Sequence, residues 1–103
     1  MVLVATEFGR TAAVNGTRGT DHGTGAAVFL LGGAVKGGRV IVDWPGLAPA
    51  SLFAGRDLKP TLDLRSVMKS VLRDHLAVPQ RHLDVTVSPD SAAAPYIDGL
   101  PRG

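Results

Sequence analysis

Two runs of this chain, Met1-Val2-Leu3-Val4-Ala5 and Ala26-Ala27-Val28-Phe29-Leu30-Leu31, carry no polar residue on either face. Strands of that kind belong to parallel sheets that helices cover on both sides. The requirement collides with the rest of the sequence, which supplies one strongly amphipathic helix. Leu64, Val67, Met68, Val71, Leu72 and His75 recur at the spacing of a helical stripe. Asp63 stands before them as an N-cap, Pro79 ends the pattern, and Arg65, Lys69 and Arg73 fall largely outside the stripe. One helix cannot cover two such strands. The expectation is therefore an α/β fragment of a doubly wound, mostly parallel sheet, with about three strands, one clear helix and long glycine-rich loops. Its cover would come from a remaining N-terminal part of the domain or from self-association.

The third strand candidate is Arg39-Val40-Ile41-Val42, after the turn at Gly37-Gly38. Between the first two strands, Thr6 to Gly25 is polar and glycine-rich without periodicity, and a loop of that length is usually functional or disordered. From Asp43 to Pro60 the prolines and glycines prevent long regular elements. Leu83 to Val87 suits a short strand or a turn of helix. Residues 88–103, rich in Ser, Ala, Pro and Gly, form a tail or surface wrap. If the helical stripe packs on the sheet, Val71→Asp costs several kcal/mol and Arg73→Asp almost nothing.

Composition narrows the function classes. The net charge is +2 with the basic residues scattered singly, so no nucleic-acid footprint is expected. No apolar run approaches the roughly 20 residues of a membrane span, and the first residues lack the basic flank of a signal peptide. The absence of cysteine excludes disulfides and thiolate metal sites.

Chemistry concentrates in two places. Thr6-Glu7-Phe8-Gly9-Arg10-Thr11 follows the first strand, where open α/β sheets bind ligands. Glu7 there suits a metal, and Arg10 suits a phosphate or sulfate oxygen. Gly19-Thr20-Asp21-His22-Gly23-Thr24-Gly25 then offers a carboxylate and an imidazole on a flexible backbone, a donor pair for Zn, Mn, Fe or Mg. A solvated turn with Glu7 and Arg10 paired, and a surface histidine, are the plainer alternatives. Gly23-Thr24-Gly25 leads into a strand rather than a helix and is no dinucleotide fingerprint. His75 is expected to cap or pack, His82 to lie on the surface, and Asn15-Gly16-Thr17 matches a glycosylation acceptor.

In serial order these segments, followed by Gly32-Gly33-Ala34-Val35-Lys36-Gly37-Gly38, Trp44-Pro45-Gly46-Leu47, Gly55-Arg56-Asp57-Leu58 and the helix from Asp63, resemble the C-terminal part of the bacterial family catalogued as domain of unknown function 1501. That family is similar to the alkaline phosphatase and sulfatase superfamily. The resemblance implies that residues 1–87 are the C-terminal part of a doubly wound α/β domain and that residues 88–103 are a tail. It implies an exported or periplasmic protein hydrolysing phosphate or sulfate esters with a divalent metal, or a catalytically silent binding or scaffold domain that kept the fold. Glu7, Asp21 and His22 would hold metal, and Arg10 and Lys36 would bind the anion. Two correspondences with the superfamily's strand-end Asp-His-Gly motif stay open. Either Glu7 takes the strand-end carboxylate position and His22 that of a later histidine, with Phe8 in place of an imidazole, or Asp21-His22 is the displaced pair.

Overall fold

The structure is a computed structural model and describes residues 1–102. Its strands are short. Strand β1 is Val2–Val4, β2 Gly9–Arg10, β3 His22–Gly23 and β4 Phe29–Leu31; β1 pairs with β4, and β2 with β3, in two separate two-stranded sheets. The β2–β3 pair is antiparallel. This overturns the expected doubly wound parallel sheet. A parallel crossover must return from its helix to another strand of the same sheet. Here helix α1, Leu64–Leu76, leads instead into the short helical turn α2, Gln80–His82, and a π-turn over Leu83–Val87. The apolar segment Val40-Ile41-Val42 forms no strand and is exposed. The β1 and β4 side chains Val2, Val4, Phe29 and Leu31 are also largely exposed.

The chain divides into two compact units, one of Val2–Leu30 with Val40–Thr61 and one of Leu31–Arg39 with Leu62 onward. In the second unit α1 begins and ends where its sequence says it should. The Asp63 carboxylate accepts from the Arg65 amide at 2.9 Å, capping the first turn. The Arg65 guanidinium grips the same carboxylate and holds it below its ordinary pKa. At the other end Ala77 takes the left-handed conformation, with φ 54°, ahead of Pro79.

The helix buries an unexpected face. Ser66, Val67, Lys69 and Ser70 are buried, whereas Met68 and His75 of the apolar stripe are exposed and Leu64, Val71 and Leu72 are half-buried. The polar side is covered because residues 83–100 fold back onto it. The Lys69 ammonium donates to Asp84 Oδ1 at 2.8 Å and to the Ser91 carbonyl at 2.7 Å. Tyr96 donates its hydroxyl to the same carboxylate oxygen at 2.8 Å, and Ser70 Oγ accepts from the Ile97 amide at 2.8 Å. Val35, Val67, Leu83, Ala94 and Leu100 supply the buried apolar side chains, and all five lie in this unit. Arg73, which falls outside the stripe, bonds Asp74 at 2.7 Å and Asp98 at 2.7 Å, so Arg73→Asp is expected to cost more than the stripe alone suggests.

Substitutions on α1 test this reversed burial. Val67→Asp places an unpaired charge in the interior and is expected to cost several kcal/mol. Met68→Asp changes an exposed side chain and should stay within about 0.5 kcal/mol of the parent in denaturant melts. A larger loss for Met68→Asp than for Val67→Asp would place the buried edge of the helix at Met68 instead of at Val67 and its polar neighbours.

Candidate functional site

The stretch from Thr6 to Gly25 has no helical or strand period, yet it is ordered by four devices. The first is the β2–β3 ladder, which sets Gly9 opposite Gly23 and Arg10 opposite His22. The Thr11 amide prolongs it by donating to the Asp21 carbonyl at 3.1 Å. The second is Asn15. Its Oδ1 accepts from the Thr17 amide, the Thr17 hydroxyl and the Gly19 amide at 3.0, 2.9 and 3.0 Å, an Asx turn that closes the connection. Its Nδ2 donates to Asp21 Oδ1 at 3.1 Å.

Close backbone approach is the third device. A Cβ on Gly9 would lie 1.7 Å from the Gly25 carbonyl oxygen, and one on Gly23 would lie 2.7 Å from Asp57 Oδ1 and 2.9 Å from the Arg10 carbonyl carbon. Only glycine lets these backbones pass so near one another.

The fourth is Asp57, 3% exposed and 33 residues from the loop it holds. Its Oδ2 accepts from the Thr24 amide, while its backbone bridges both Thr11 and Phe53. The Thr24 amide is the chief reason that its carboxyl sits below the ordinary carboxylate range. Burial opposes that shift, and the Thr24 side chain and the Gly25 and Leu58 amides add to it. Oδ1 is buried without a hydrogen-bond partner.

Directly opposed residues of an antiparallel pair project to one face, so Arg10 and His22 share it. Phe8 joins them, its ring stacked on the imidazole with centroids 4.1 Å apart and planes at 24°. Arg10 donates through one Nη to the Thr20 carbonyl at 2.9 Å, which ties the guanidinium back over the loop. Thr6, Glu7, Phe8, Gly9 and Arg10 line an open depression. Glu7 and Asp21 are exposed, Asp21 tethered through Asn15. Lys36 belongs to the other unit, where its amide donates to the Leu100 carbonyl at 2.9 Å and its carbonyl accepts from Arg39. Among the described residues no three His, Asp or Glu side chains converge to hold a metal ion. No helix of the described residues is long and apolar enough to cross a membrane.

Asn15 and Asp57 organise the site without being donors toward it. Asn15-Gly16-Thr17 carried a signal, since Asn followed by Gly favours a turn. Asp57 carried none, because its partner is remote in sequence.

The chain belongs to the family described as "Protein of unknown function (DUF1501)", whose model matches residues 1–87. No curated protein and no solved structure matches it.

Two measurements probe the loop. Gly9→Ala must push the Gly25 backbone aside and should disperse the amide resonances of residues 9–11 and 22–25, whereas Gly16→Ala, with nothing near its Cβ, should leave them in place. Retained resonances in Gly9→Ala would refute the close approach. Asp57 has a folded pKa below its unfolded value of about 3.9. Its contribution to stability is thus present above about pH 4 and lost as pH falls through the folded value. Denaturant melts across the acid range should show a shallower acid-side decline for Asp57→Asn than for the parent.

Proposed function

We propose that this member of the family contributes one segment of a metal-dependent site for hydrolysis of phosphate or sulfate esters, completed by further polypeptide. One observation carries the proposal. The cross-strand pairing of Arg10 with His22 sets a guanidinium and an imidazole on one face, with Asp21 next in the chain, and these are groups whose chemistry suits an oxyanion and a divalent metal. The wider likeness to the alkaline phosphatase and sulfatase superfamily, and the place of this chain at the C-terminal end of such a domain, belong to the same proposal.

The donor chemistry fits a divalent ion in kind. Asp21 and His22 offer one oxygen and one nitrogen ligand and Glu7 a second carboxylate, but among the described residues these do not converge. A tightly held ion takes four to six, so further polypeptide has to gather and complete the set. The stack of Phe8 on His22 covers the face of the ring. Ligation uses ring nitrogens in the plane, so the stack orients the imidazole without blocking it. A bound metal would polarise the ester oxygen. This chain's own residues bind and orient. Arg10 neutralises the non-bridging oxygens of the ester in a forked contact. Asn15 aims the Asp21 carboxylate, and Asp57 holds the His22-Gly23-Thr24 turn from below.

The exposed apolar side chains of β1 and β4 fit the requirement for further polypeptide. It would come from the rest of the domain or from a second copy. The alternative is a silent binding or scaffold domain, favoured by Phe8 standing where the superfamily resemblance would place an imidazole.

Metal content decides between them. The chain alone should bind Zn, Mn or Mg weakly. A longer protein carrying the preceding part of the domain should hold stoichiometric metal and lose both metal and esterase activity in the Asp21→Ala, His22→Ala double variant. A folded, metal-free longer protein after incubation with all three ions would leave the binding domain standing.

A further inference from the structure

Asn15 is the single asparagine of the chain, and Gly16 follows it. The side-chain amide of an asparagine is open to attack by the backbone nitrogen of the next residue, and glycine, with no Cβ, hinders that approach least. Here the attacking nitrogen is free. The Gly16 amide donates to no group among the described residues, while the Asn15 amide bonds the Gly19 carbonyl and the Thr17 amide bonds Asn15 Oδ1. Gly16 is exposed, and nothing lies within 4 Å of the position its Cβ would take.

The turn also prepares the group under attack. Because Asn15 Oδ1 reaches the Thr17 amide at 3.0 Å, the side chain is folded over the Gly16 peptide, and its Cγ is held toward the Gly16 nitrogen. Attack at Cγ places negative charge on Oδ1. Three donors already converge there, the Thr17 amide, the Thr17 hydroxyl and the Gly19 amide, at 3.0, 2.9 and 3.0 Å. Donors fixed on an atom that becomes an oxyanion lower the barrier to forming it.

We propose that Asn15 is a site of spontaneous deamidation that the folded loop promotes. Solvent base takes the Gly16 amide proton, the nitrogen bonds to Cγ, and the charge moves to Oδ1. The intermediate collapses as the Cγ–Nδ2 bond breaks, Nδ2 takes a proton from water, and ammonia leaves a cyclic imide. Water then opens the imide at either carbonyl, giving aspartate or isoaspartate. Either product sets a carboxylate where Nδ2 donated to Asp21 Oδ1 at 3.1 Å, and like charges so close repel. Asp21 thereby loses its tether. The inference does not rest on the ester-hydrolysis proposal, since it needs neither metal nor substrate.

The test incubates the full chain in mildly alkaline buffer beside a free peptide of residues 12–20. Intact mass follows the conversion of amide to acid, and peptide mapping places it at Asn15 and separates the two products. The folded chain should convert faster than the peptide, and Gly16→Ala should slow it about tenfold. Thr17→Val removes the hydroxyl donor and keeps the amide, so it should slow conversion several-fold in the folded chain and leave the peptide unaffected. An amide retained in the folded chain while the peptide converts shows that the turn protects Asn15 and overturns the proposal. A folded-chain rate indifferent to Thr17→Val overturns it as well. The comparison of parent chain with peptide needs no variant, and it decides even where a substitution disturbs the loop.

Discussion

Lys69 places a full positive charge where almost no solvent reaches it, and a charge so placed must keep its partners or lose its burial. Much of the α1 unit follows from that requirement. Asp84 has to face the helix, which fixes the turn through Leu83–Val87. The Ser91 carbonyl has to point inward, and Tyr96 closes the group by donating to Asp84 and stacking near the ammonium. Asp84 responds with a carboxyl below its ordinary range, chiefly because of Lys69 and then Tyr96. Tyr96 responds in the opposite sense, its phenol pushed up to about 12 by burial and then by the neighbouring carboxylate. Five small to medium apolar side chains fill in around this ionic centre rather than defining it.

The other unit uses the same principle with the sign reversed. Its buried residues include Thr11, Gly25 and Asp57, and no large apolar side chain. A carboxylate there gathers amide hydrogens, and glycines let the backbone come close enough to supply them. The candidate site inherits its shape from this arrangement. His22 is where it is because Gly23 and Thr24 rest on Asp57, and Arg10 is opposite it because Gly9 rests against Gly25.

What could be read from the sequence was whatever is local. The span of α1, its cap at Asp63 and its end before Pro79 depend on neighbours within a turn, and the structure has all three. The apolar runs at Val2–Val4 and Phe29–Leu31 did become strands. Their assembly was misjudged because sheet order is a matter of distant pairing, and apolarity on both faces does not specify it. The buried face of α1 was misjudged for a related reason. Hydrophobic periodicity reports the face that helices usually bury, and it has no term for Lys69 meeting Asp84 and Ser91 further along. Glu7, Asp21, His22 and Arg10 stand out in the sequence as candidate ligands by residue type alone, whereas Asn15 and Asp57 matter through the loop geometry they impose.

The separation of contacts along the chain sets an order in time. The bonds between α1 and residues 84–98 close loops of 15 to 27 residues, while the Arg102 guanidinium reaches the Val35 carbonyl across 67. Loop closure costs more entropy as the loop lengthens, and short-range contacts form sooner. Arg65 joins the two ends of the early stage, since it holds the Asp63 cap with one edge of its guanidinium and the Asp90 carbonyl with another. A refolding chain would therefore nucleate α1, collect residues 84–98 while the helix is still fraying, and dock its last residues against Ala34 and Val35 only afterwards. On this ordering the charged contacts of that unit precede its terminal ones.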